Sequence, residues 1–418
     1  MTQIKEALAE LNPWWKEEFN VEYKPRKIYS QIQKFMRQPQ VLALTGLRRV
    51  GKTTLMLKIV EDAISRKFNP RRIVYFSFDE FRECDLRKVL AEYEQLTGAD
   101  LSNGKHIVLF DEIQKLEGWN DQLKALYDLG KGRVKIVISG SEALFLRRGS
   151  RETLAGRMFE FKVEPLSFGE YLAFTGVESK PVDLHARELS RAFDEFLPTQ
   201  GFPELVGTRD SIVFRKYLRE SIVEKVLFRD LPTLVGVRDA PLLESLLNVL
   251  MEEPGQLVDL AELAGEMGVS RQTLAGYLRY LEESFLLRKL YNYSTGKRKS
   301  ERKLKKYYPT IVSPSLLSRS DDRSRERAFE WIVVAQLRGE FFWRDPYKNE
   351  VDLILTNGRV KPVEIKHGKT DARGLLAFMN KFKIPTGHMI TQNEEWTRRK
   401  SGKTIHAVPA FKFLLEHD

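Results

Sequence analysis

The apolar positions in the first 165 residues form short runs of strand length, separated by segments with helical spacing. Residues 41–44 are one such run, and residues 54–64 then repeat apolar side chains along one helix face. Further runs of strand character lie at residues 72–78, 105–111 and 135–141. Strands that alternate with helices favour a parallel sheet covered by helices. The pattern therefore predicts an α/β core with a parallel sheet in this part of the chain.

The sequence between the first predicted strand and the first long helix is LTGLRRVGKTTL, at residues 44–55. Gly46 and Gly51 bracket four residues, so the backbone can curl and direct successive N–H groups at phosphate oxygens. Lys52 adds a positive charge, Thr53 supplies a hydroxyl for Mg²⁺, and the helix directs its positive end at the same anion. We predict a site for ATP/ADP and Mg²⁺. The residues predicted to contact the nucleotide are Gly46, Leu47, Arg48, Arg49, Val50, Gly51, Lys52, Thr53 and Thr54.

Two adjacent carboxylates, Asp111 and Glu112, follow the apolar run that begins at His106. Asp111 can hold the water shell of Mg²⁺, and Glu112 can polarise the water that attacks the γ-phosphate. A strand between the loop and this pair indicates the ATP-hydrolysing P-loop proteins that use a glutamate. The next run ends in Ser139 and Ser141, either of which could sense the γ-phosphate or cap a helix. We assign catalytic roles to Glu112 and Ser141, and the metal to Asp111 and the loop threonine.

The motifs GLRRVGKTTL, DEIQ, ISGS and LAGR, in this order, resemble those of the AAA+ ATPases of archaea and bacteria that carry a C-terminal restriction-endonuclease-like domain. The resemblance covers most of the chain. It implies that Arg157 stabilises the transition-state charge or senses the nucleotide, in its own subunit or in a neighbouring subunit of a homo-oligomer. An arginine in that role contributes about 10³–10⁵ in rate. Nearby alternatives are Arg147, Arg148 and Arg151, and the direction of Arg48 and Arg49 stays open.

Helical patterns dominate the middle of the chain. By the same resemblance, residues 166–235 form a helical lid. Residues 236–312 have the outline of a winged helix, because Asp259 and Ser270 can cap two short helices that a glycine turn joins. The pattern therefore predicts a helix-turn-helix followed by two strands of a wing.

Basic residues concentrate in the predicted wing. Between residues 288 and 306, nine Lys and Arg side chains stand against one acid, Glu301. Such a strip suits a phosphate backbone, and binding would then weaken with salt. DNA contact, docking of a protein and a merely solvated face are the alternatives, of which we favour DNA. The residues of the second helix expected to face outward are Arg271, Gln272, Thr273 and Arg279.

An acidic constellation is predicted in residues 313–418. The elements that carry it are the strands at 350–355 and 360–366 and the helix at 327–337. Alternation places Glu364 and Lys366 on one strand face, with Asp352 beside them, and the helix can add Glu330. The set resembles the restriction-endonuclease-like (PD-(D/E)XK) superfamily, which implies a divalent cation that positions water against phosphate. An active nuclease, a nucleic-acid-binding remnant and a protein-contact module stay open as alternatives.

The length and charge of the chain bear on the number of domains and on the kind of partner. The chain has 418 residues, 42% of them hydrophobic, and a formal charge of +11. This length indicates several domains, and the positive charge favours a polyanionic partner, with DNA preferred over RNA. One cysteine, an N-terminus unlike a secretion signal and no apolar run of about 18 residues predict a cytoplasmic protein without membrane contact.

Together these features predict an α/β P-loop ATPase of the AAA+ type. The predicted domains are the ATPase core at 1–165, the helical lid at 166–235, the winged helix at 236–312 and the endonuclease-like domain at 313–418. The predicted function is Mg²⁺-dependent ATP hydrolysis coupled to nucleic acid. The alternative is a nucleotide-gated switch or scaffold that binds a protein partner through an inactive tail.

Overall fold

The computed structural model describes residues 3–81, 83–130, 132–140, 154–232, 239–296, 304–368, 371–400 and 402–418. These residues form two compact units. The first comprises the described residues up to Pro165, and the second comprises those from Leu166 to the last residue. Among the described residues, no helix is both long enough and apolar enough to cross a membrane.

The first unit is built on one parallel sheet. Its helices and strands in chain order are α1 (Gln3–Leu11), α2 (Lys27–Phe35), β1 (Val41–Thr45), α3 (Lys52–Ser65), β2 (Ile73–Ser77), α4 (Leu86–Thr97), β3 (His106–Asp111), α5 (Trp119–Gly130), β4 (Val134–Gly140) and β5 (Met158–Lys162). The strand order is β2-β3-β4-β1-β5, and every neighbouring pair is parallel. Parallel strands need crossover connections, and α3, α4 and α5 supply three of them. The predicted parallel α/β core is confirmed.

The parallel arrangement brings the predicted site residues to one edge of this sheet. β1 and β3 are buried at every position, as expected for strands whose two faces are both covered. The rings of Phe76, Phe78 and Phe110 pack together in the core beside them. β4 lies between β3 and β1, and all three strands are parallel. The last residue of β1, Thr45, and the last residue of β3, Asp111, therefore lie at the same edge of the sheet.

The second unit combines helices with a mixed sheet. Its α-helices are α6 (Phe168–Thr175), α7 (Ala186–Thr199), α8 (Ser211–Lys216), α9 (Ala240–Glu252), α10 (Leu260–Glu266), α11 (Arg271–Glu283), α12 (Pro314–Ser318), α13 (Asp322–Leu337), α14 (Arg373–Lys381) and α15 (Ala410–His417). Its strands are β6 (Gln256–Val258), β7 (Leu287–Asn292), β8 (Lys305–Pro309), β9 (Phe341–Arg344), β10 (Glu350–Leu355), β11 (Lys361–Lys366), β12 (Thr386–Thr391), β13 (Trp396–Lys400) and β14 (Lys403–Pro409). The segments Tyr217–Val223 and Val226–Asp230 are π-helical.

The strands predicted for the winged helix and for the C-terminal domain belong to one sheet. Its order is β13-β14-β12-β11-β10-β9-β7-β8-β6. β7 and β9 join the two predicted parts through a short parallel pairing. The side chain of Asn292 reinforces this joint, because its Nδ2 donates to the backbone oxygen of Arg344 at 2.9 Å. Sequence patterns locate strands but not the edges along which they meet, and the boundary predicted between 312 and 313 lies within this unit.

The helices predicted as a lid share a core with the C-terminal elements. The rings of Phe193 in α7 and Phe329 in α13 lie 6.3 Å apart. The backbone N–H of Phe168 donates to the side chain of Gln336 at 2.8 Å. These helices therefore pack inside the second unit.

The two helices predicted as a helix-turn-helix have the caps that the sequence indicated. Asp259 accepts hydrogen bonds from the first N–H groups of α10, and Ser270 accepts one from Thr273 in α11. β7 and β8 form the antiparallel pair predicted as the wing. The wing tip at residues 297–303 lies outside the described residues. The winged-helix assignment itself stays a prediction.

Candidate functional site

The loop predicted to bind phosphate connects β1 to α3. Gly46 and Gly51 have φ angles of 144° and 93°, a region that strains residues with a Cβ atom. A Cβ on Gly46 would lie 2.2 Å from the carbonyl oxygen of Val163. The N–H of Val163 in turn donates to the oxygen of Thr45 at 2.7 Å. The chain after β5 therefore presses against the start of the loop, where only glycine fits.

The other side chains of the loop differ in burial. Leu47 and Val50 are buried in the core. Arg49 is exposed and has a φ angle of 65°, whereas Arg48 and Thr54 are half-buried. We therefore expect Leu47 and Val50 to contact a nucleotide through backbone groups only.

Lys52, the first residue of α3, is buried within the loop. Its exposed fraction is 6%, and its Nζ donates to the carbonyl oxygens of Gly46 and Leu47, each at 3.0 Å. A buried ammonium group needs such acceptors. Anionic phosphate oxygens accept stronger hydrogen bonds than neutral carbonyls do. The lysine is therefore positioned to exchange loop carbonyls for phosphate.

Asp111 is the centre of a hydroxyl cluster at the carboxyl edge of the sheet. Its Oδ2 accepts hydrogen bonds from Thr53 Oγ1 and from the hydroxyl of Tyr75, both at 2.7 Å. Its Oδ1 accepts one from Ser139 Oγ. The two predicted magnesium ligands, Thr53 and Asp111, are thus brought together. A hydroxyl and one carboxylate beside nucleotide phosphates are the donor set that Mg²⁺ uses.

Tyr75 was not identified from the sequence. It lies inside the apolar strand β2, two residues before its end, and is 5% exposed. Burial and the charge of Asp111 raise the pKa of Tyr75, so it acts as a hydrogen-bond donor. A tyrosine within the strand between the two motifs was the available signal. Of the two serines, Ser139 contacts Asp111, whereas Ser141 lies outside the described residues.

Glu112 has a constrained backbone. Its φ angle of 52° is in the left-handed region, which is uncommon outside glycine. Its N–H donates to Asp111 Oδ1 at 3.1 Å and to Ser139 Oγ at 3.3 Å, and these contacts hold the turn. Its Oε2 accepts a hydrogen bond from Gln114 Nε2 at 2.6 Å. The carboxylate of Glu112 is thereby held immediately after Asp111, the predicted metal ligand.

Arg157 lies at the opposite edge of the sheet from the loop. It precedes β5, and its backbone oxygen accepts from the N–H of Val41, the first residue of β1. The loop begins after the last residue of β1, a distance of roughly 13 Å along the strand. The Arg157 side chain contacts Asp128 in α5, with Nε and Oδ1 3.3 Å apart. Of the two alternatives left open by the sequence, this position favours action on a neighbouring subunit, and the role of Arg157 stays a prediction.

The rival arginines predicted near Arg157 cannot be placed. Arg147, Arg148 and Arg151 lie outside the described residues.

Arg26 is a second residue that sequence reasoning missed. It is 8% exposed, and its Nη1 donates to the oxygen of Val50 at 2.8 Å while its Nη2 donates to the oxygen of Glu164 at 2.7 Å. One guanidinium group therefore joins the phosphate loop to the chain after β5. The contact spans 138 positions in the sequence, so spacing gave no signal for it.

The four residues of the second predicted site approach one another in the second unit. β10 and β11 are antiparallel, and their register places Asp352 opposite Glu364. Lys366 Nζ lies 3.0 Å from Glu364 Oε1. Asp352 accepts the backbone N–H of Ile365 at 2.8 Å.

A lysine of the predicted wing occupies the middle of these acids. Lys306 of β8 is 4% exposed, and its Nζ lies 2.6 Å from Glu350, 3.3 Å from Glu330 and 3.7 Å from Asp352. The hydroxyl of Tyr308, on the same strand face, donates to Glu330 at 2.5 Å. Lys306 was counted among the solvent-facing bases of the wing, and its burial corrects that expectation.

Burial and mutual charge shift the titration of this cluster. Burial raises the pKa of Asp352 to about 6, and the neighbouring Glu330 adds to the shift. Burial and the charge of Asp352 likewise raise the pKa of Glu364. Burial alone would lower the pKa of Lys306, but Glu330 and the surrounding acids raise it well above its usual value. The surrounding acids therefore favour the charged form of this lysine. Across the described residues, no group of three or more His, Cys, Asp or Glu side chains is arranged to hold a metal ion.

Comparison with known sequence families divides the chain into three parts. Residues 38–172 match a family described as an AAA domain. Residues 190–318 and 328–413 match two families, DUF8612 and DUF4143, each described as a domain of unknown function. The first match supports an AAA-type P-loop ATPase domain in the first unit. The winged-helix and endonuclease-like assignments stay predictions.

Similar curated proteins come from bacteria and archaea. An uncharacterized protein of Haemophilus influenzae is 28% identical over 63% of this chain, and the match spans 65% of that protein's own length. An uncharacterized protein of Methanocaldococcus jannaschii is 27% identical over 90% of this chain and 85% of its own length.

Two solved structures overlap with large parts of the chain. The Aeropyrum pernix ORC1 protein in complex with DNA covers 75% of this chain and 94% of its own, with 14% identity and a TM-score of 0.34. A variant of Thermotoga maritima RuvB covers 62% of this chain and 86% of its own, with 15% identity and a TM-score of 0.30.

Proposed function

We propose that this chain is a Mg²⁺-dependent ATPase of the AAA type that acts while bound to nucleic acid. The observation that carries the proposal is the convergence of Lys52, Thr53, Asp111 and Glu112 at one edge of a parallel sheet. The loop provides backbone N–H groups and the start of α3, both of which favour a polyphosphate.

In the proposed reaction each residue has a distinct task. Lys52 and the loop amides bind the β- and γ-phosphates of ATP. Thr53 and Asp111 hold Mg²⁺, which when bound neutralises charge on those phosphates. Glu112 orients the attacking water and accepts its proton, and the hydrogen bond from Gln114 keeps its carboxylate in position. Tyr75 and Ser139 orient Asp111 through their hydroxyl groups.

Arg157 enters this proposal through a second copy of the chain. Because it lies at the opposite edge of its own sheet from the loop, we assign it to a γ-phosphate bound by a neighbouring subunit. The proposal therefore includes a homo-oligomer, in which an arginine worth about 10³–10⁵ in rate would be supplied across the interface.

Exposed basic residues of the second unit support a nucleic-acid partner. Arg271, Gln272 and Arg279 are exposed on α11, the helix proposed to read DNA. On the edge strand β13, Arg398 lies 4.2 Å above the ring of Trp396. β13 and β14 form an antiparallel hairpin, which also carries the basic residues Arg399, Lys400 and Lys403. DNA is favoured over RNA because a helix enters the major groove of B-form DNA but not the narrow one of A-form RNA.

ATP turnover measured with and without DNA or RNA, at several salt concentrations, tests this function. We expect nucleic acid to stimulate turnover and the stimulation to decline as salt rises. Glu112→Gln should retain ATP binding and lose turnover by about 10²–10⁴. Glu117→Gln, in the following turn, is the matched control and should leave turnover unchanged. Turnover without stimulation or salt-sensitive binding would favour the nucleotide-gated scaffold instead.

A further inference from the structure

The acidic cluster of the second unit already contains its own cations. Four carboxylates converge there, from Glu330, Glu350, Asp352 and Glu364. Three cationic side chains pair with them, Lys306, Lys366 and Arg344. With all groups ionised, these four carboxylates and three cations sum to a net charge of about −1, and the half-exposed Glu326, 3.9 Å from Lys366, is a further acid at the edge of the cluster.

The position of Lys306 matters as much as its charge. Its Nζ lies within 3.7 Å of oxygens from three of the four acids, so that one ammonium group is the shared cation of all three. A divalent cation added to this cluster would repel the ammonium group already buried among the same acids, and a low-dielectric environment strengthens that repulsion. The residues present therefore do not fit a bound Mg²⁺ or Mn²⁺ while Lys306 is in place.

We propose that Lys306 is the resident cation of this cluster, so that the cluster is metal-free and takes a divalent cation only when the ammonium group is removed. The lysine comes from β8, whereas the acids come from α13, β10 and β11. Lys306 and Tyr308 together fasten the strand of the predicted wing to Glu330. The cluster thus joins the two predicted domains instead of positioning water.

One carboxylate oxygen of the cluster, Oε2 of Glu364, is available as a metal ligand. Within the described residues, Oε2 of Glu364 is buried and accepts no hydrogen bond. Glu364 is 6% exposed, and its other carboxylate oxygen, Oε1, pairs with Lys366. Oε2 is the ligand that we expect a metal ion to recruit once the lysine is gone.

The experiment is a Mn²⁺ titration of the full-length, nucleotide-free protein. Binding is measured by calorimetry or from the electron paramagnetic resonance signal of free Mn²⁺. Lys306→Met should bind Mn²⁺ at least about tenfold more tightly than the wild type, the size of effect typical of groups beside a metal site. The gain should disappear in Lys306→Met/Glu364→Gln. Lys305→Met is the matched control, because its side chain lies on the other face of β8, and it should behave as the wild type.

Two results would overturn the proposal. One is Mn²⁺ binding or Mn²⁺-dependent DNA cleavage by the wild type that Glu364→Gln abolishes. The other is a folded Lys306→Met protein whose Mn²⁺ affinity equals that of the wild type. If Lys306→Met does not fold, the comparison of wild type with Glu364→Gln still decides, since equal Mn²⁺ binding supports the proposal. ATP binding measured on the same samples reports on the first unit, so its loss would bear on the proposed function and not on this inference.

Discussion

Replacing Tyr75 with Phe removes one hydroxyl from the cluster around Asp111 and leaves the ring in place. The hydroxyl donates to Asp111 Oδ2 at 2.7 Å, and the same oxygen accepts from Thr53. A hydrogen bond to a charged group contributes about 1.5–3 kcal/mol. Without nucleotide, Thr53 still satisfies the oxygen, so we expect the free energy of unfolding to fall by only about 1.5 kcal/mol.

The same substitution should have a larger effect when Mg²⁺ and nucleotide are bound. In the proposed complex the Thr53 hydroxyl turns to the metal, and Tyr75 becomes the remaining donor to that oxygen. We therefore expect Tyr75→Phe to weaken binding of ATP with Mg²⁺ by about tenfold, equivalent to about 1.4 kcal/mol. Binding of ATP without Mg²⁺ should change little, because Lys52 and the loop are unaltered.

Isothermal titration of ATP with and without Mg²⁺ measures this difference directly, and urea unfolding gives the stability. Tyr93→Phe is the matched control, because its buried hydroxyl donates to the oxygen of Arg71, away from Asp111. Equal weakening of ATP binding in the presence and absence of Mg²⁺ would refute the assignment of Tyr75 as the residue that orients Asp111. So would a Mg²⁺-specific loss in Tyr93→Phe.

Three further predictions concern the loop and the second unit. Gly46→Ala should lower the free energy of unfolding by more than about 1 kcal/mol and abolish ATP binding, whereas Gly276→Ala, with open space around it, should not destabilise the protein in urea unfolding. Arg26→Met should weaken ATP binding about tenfold by freeing the oxygens of Val50 and Glu164, and the exposed Arg66→Met should not; calorimetry that finds the two alike would contradict this reading. Burial lowers the pKa of His388 to about 4, so the unfolded chain binds more protons between about pH 4 and 6.5, and stability should fall as the pH falls through that range. Thermal unfolding of His388→Leu should show a smaller fall, and an unchanged pH dependence would be the contrary result.

The sequence was most informative where function depends on residues close together in the chain. The loop at 44–55 and the pair Asp111–Glu112 follow directly from spacing, because a tight turn and a strand end are local features. The position of Arg157 also follows from a local rule that the sequence reasoning did not apply. A residue that precedes a parallel strand lies at the amino-terminal edge of the sheet, opposite a loop that follows one.

The contacts that the sequence could not supply are those made across long separations. Arg26 reaches Glu164, and Lys306 reaches acids that follow it by 24 or more positions. Lys306 looked like part of a solvated basic run, and nothing in its immediate neighbours distinguishes it from Lys305 except strand alternation. Burial depends on which strand edges meet, and the pairing of β7 with β9 is a property of the folded chain.

That pairing also limits how the protein can be divided. A fragment that starts after residue 312 would expose the edge of β9 as an unpaired strand, which invites self-association. It would also lose Lys306 and leave Glu330, Glu350 and Asp352 without their shared counter-charge, a kind of loss that typically costs about 3–5 kcal/mol. A recombinant fragment of the C-terminal half should therefore begin near residue 166. Aggregation of a fragment that begins after residue 312 would be a consequence of the cut and not a property of the intact protein.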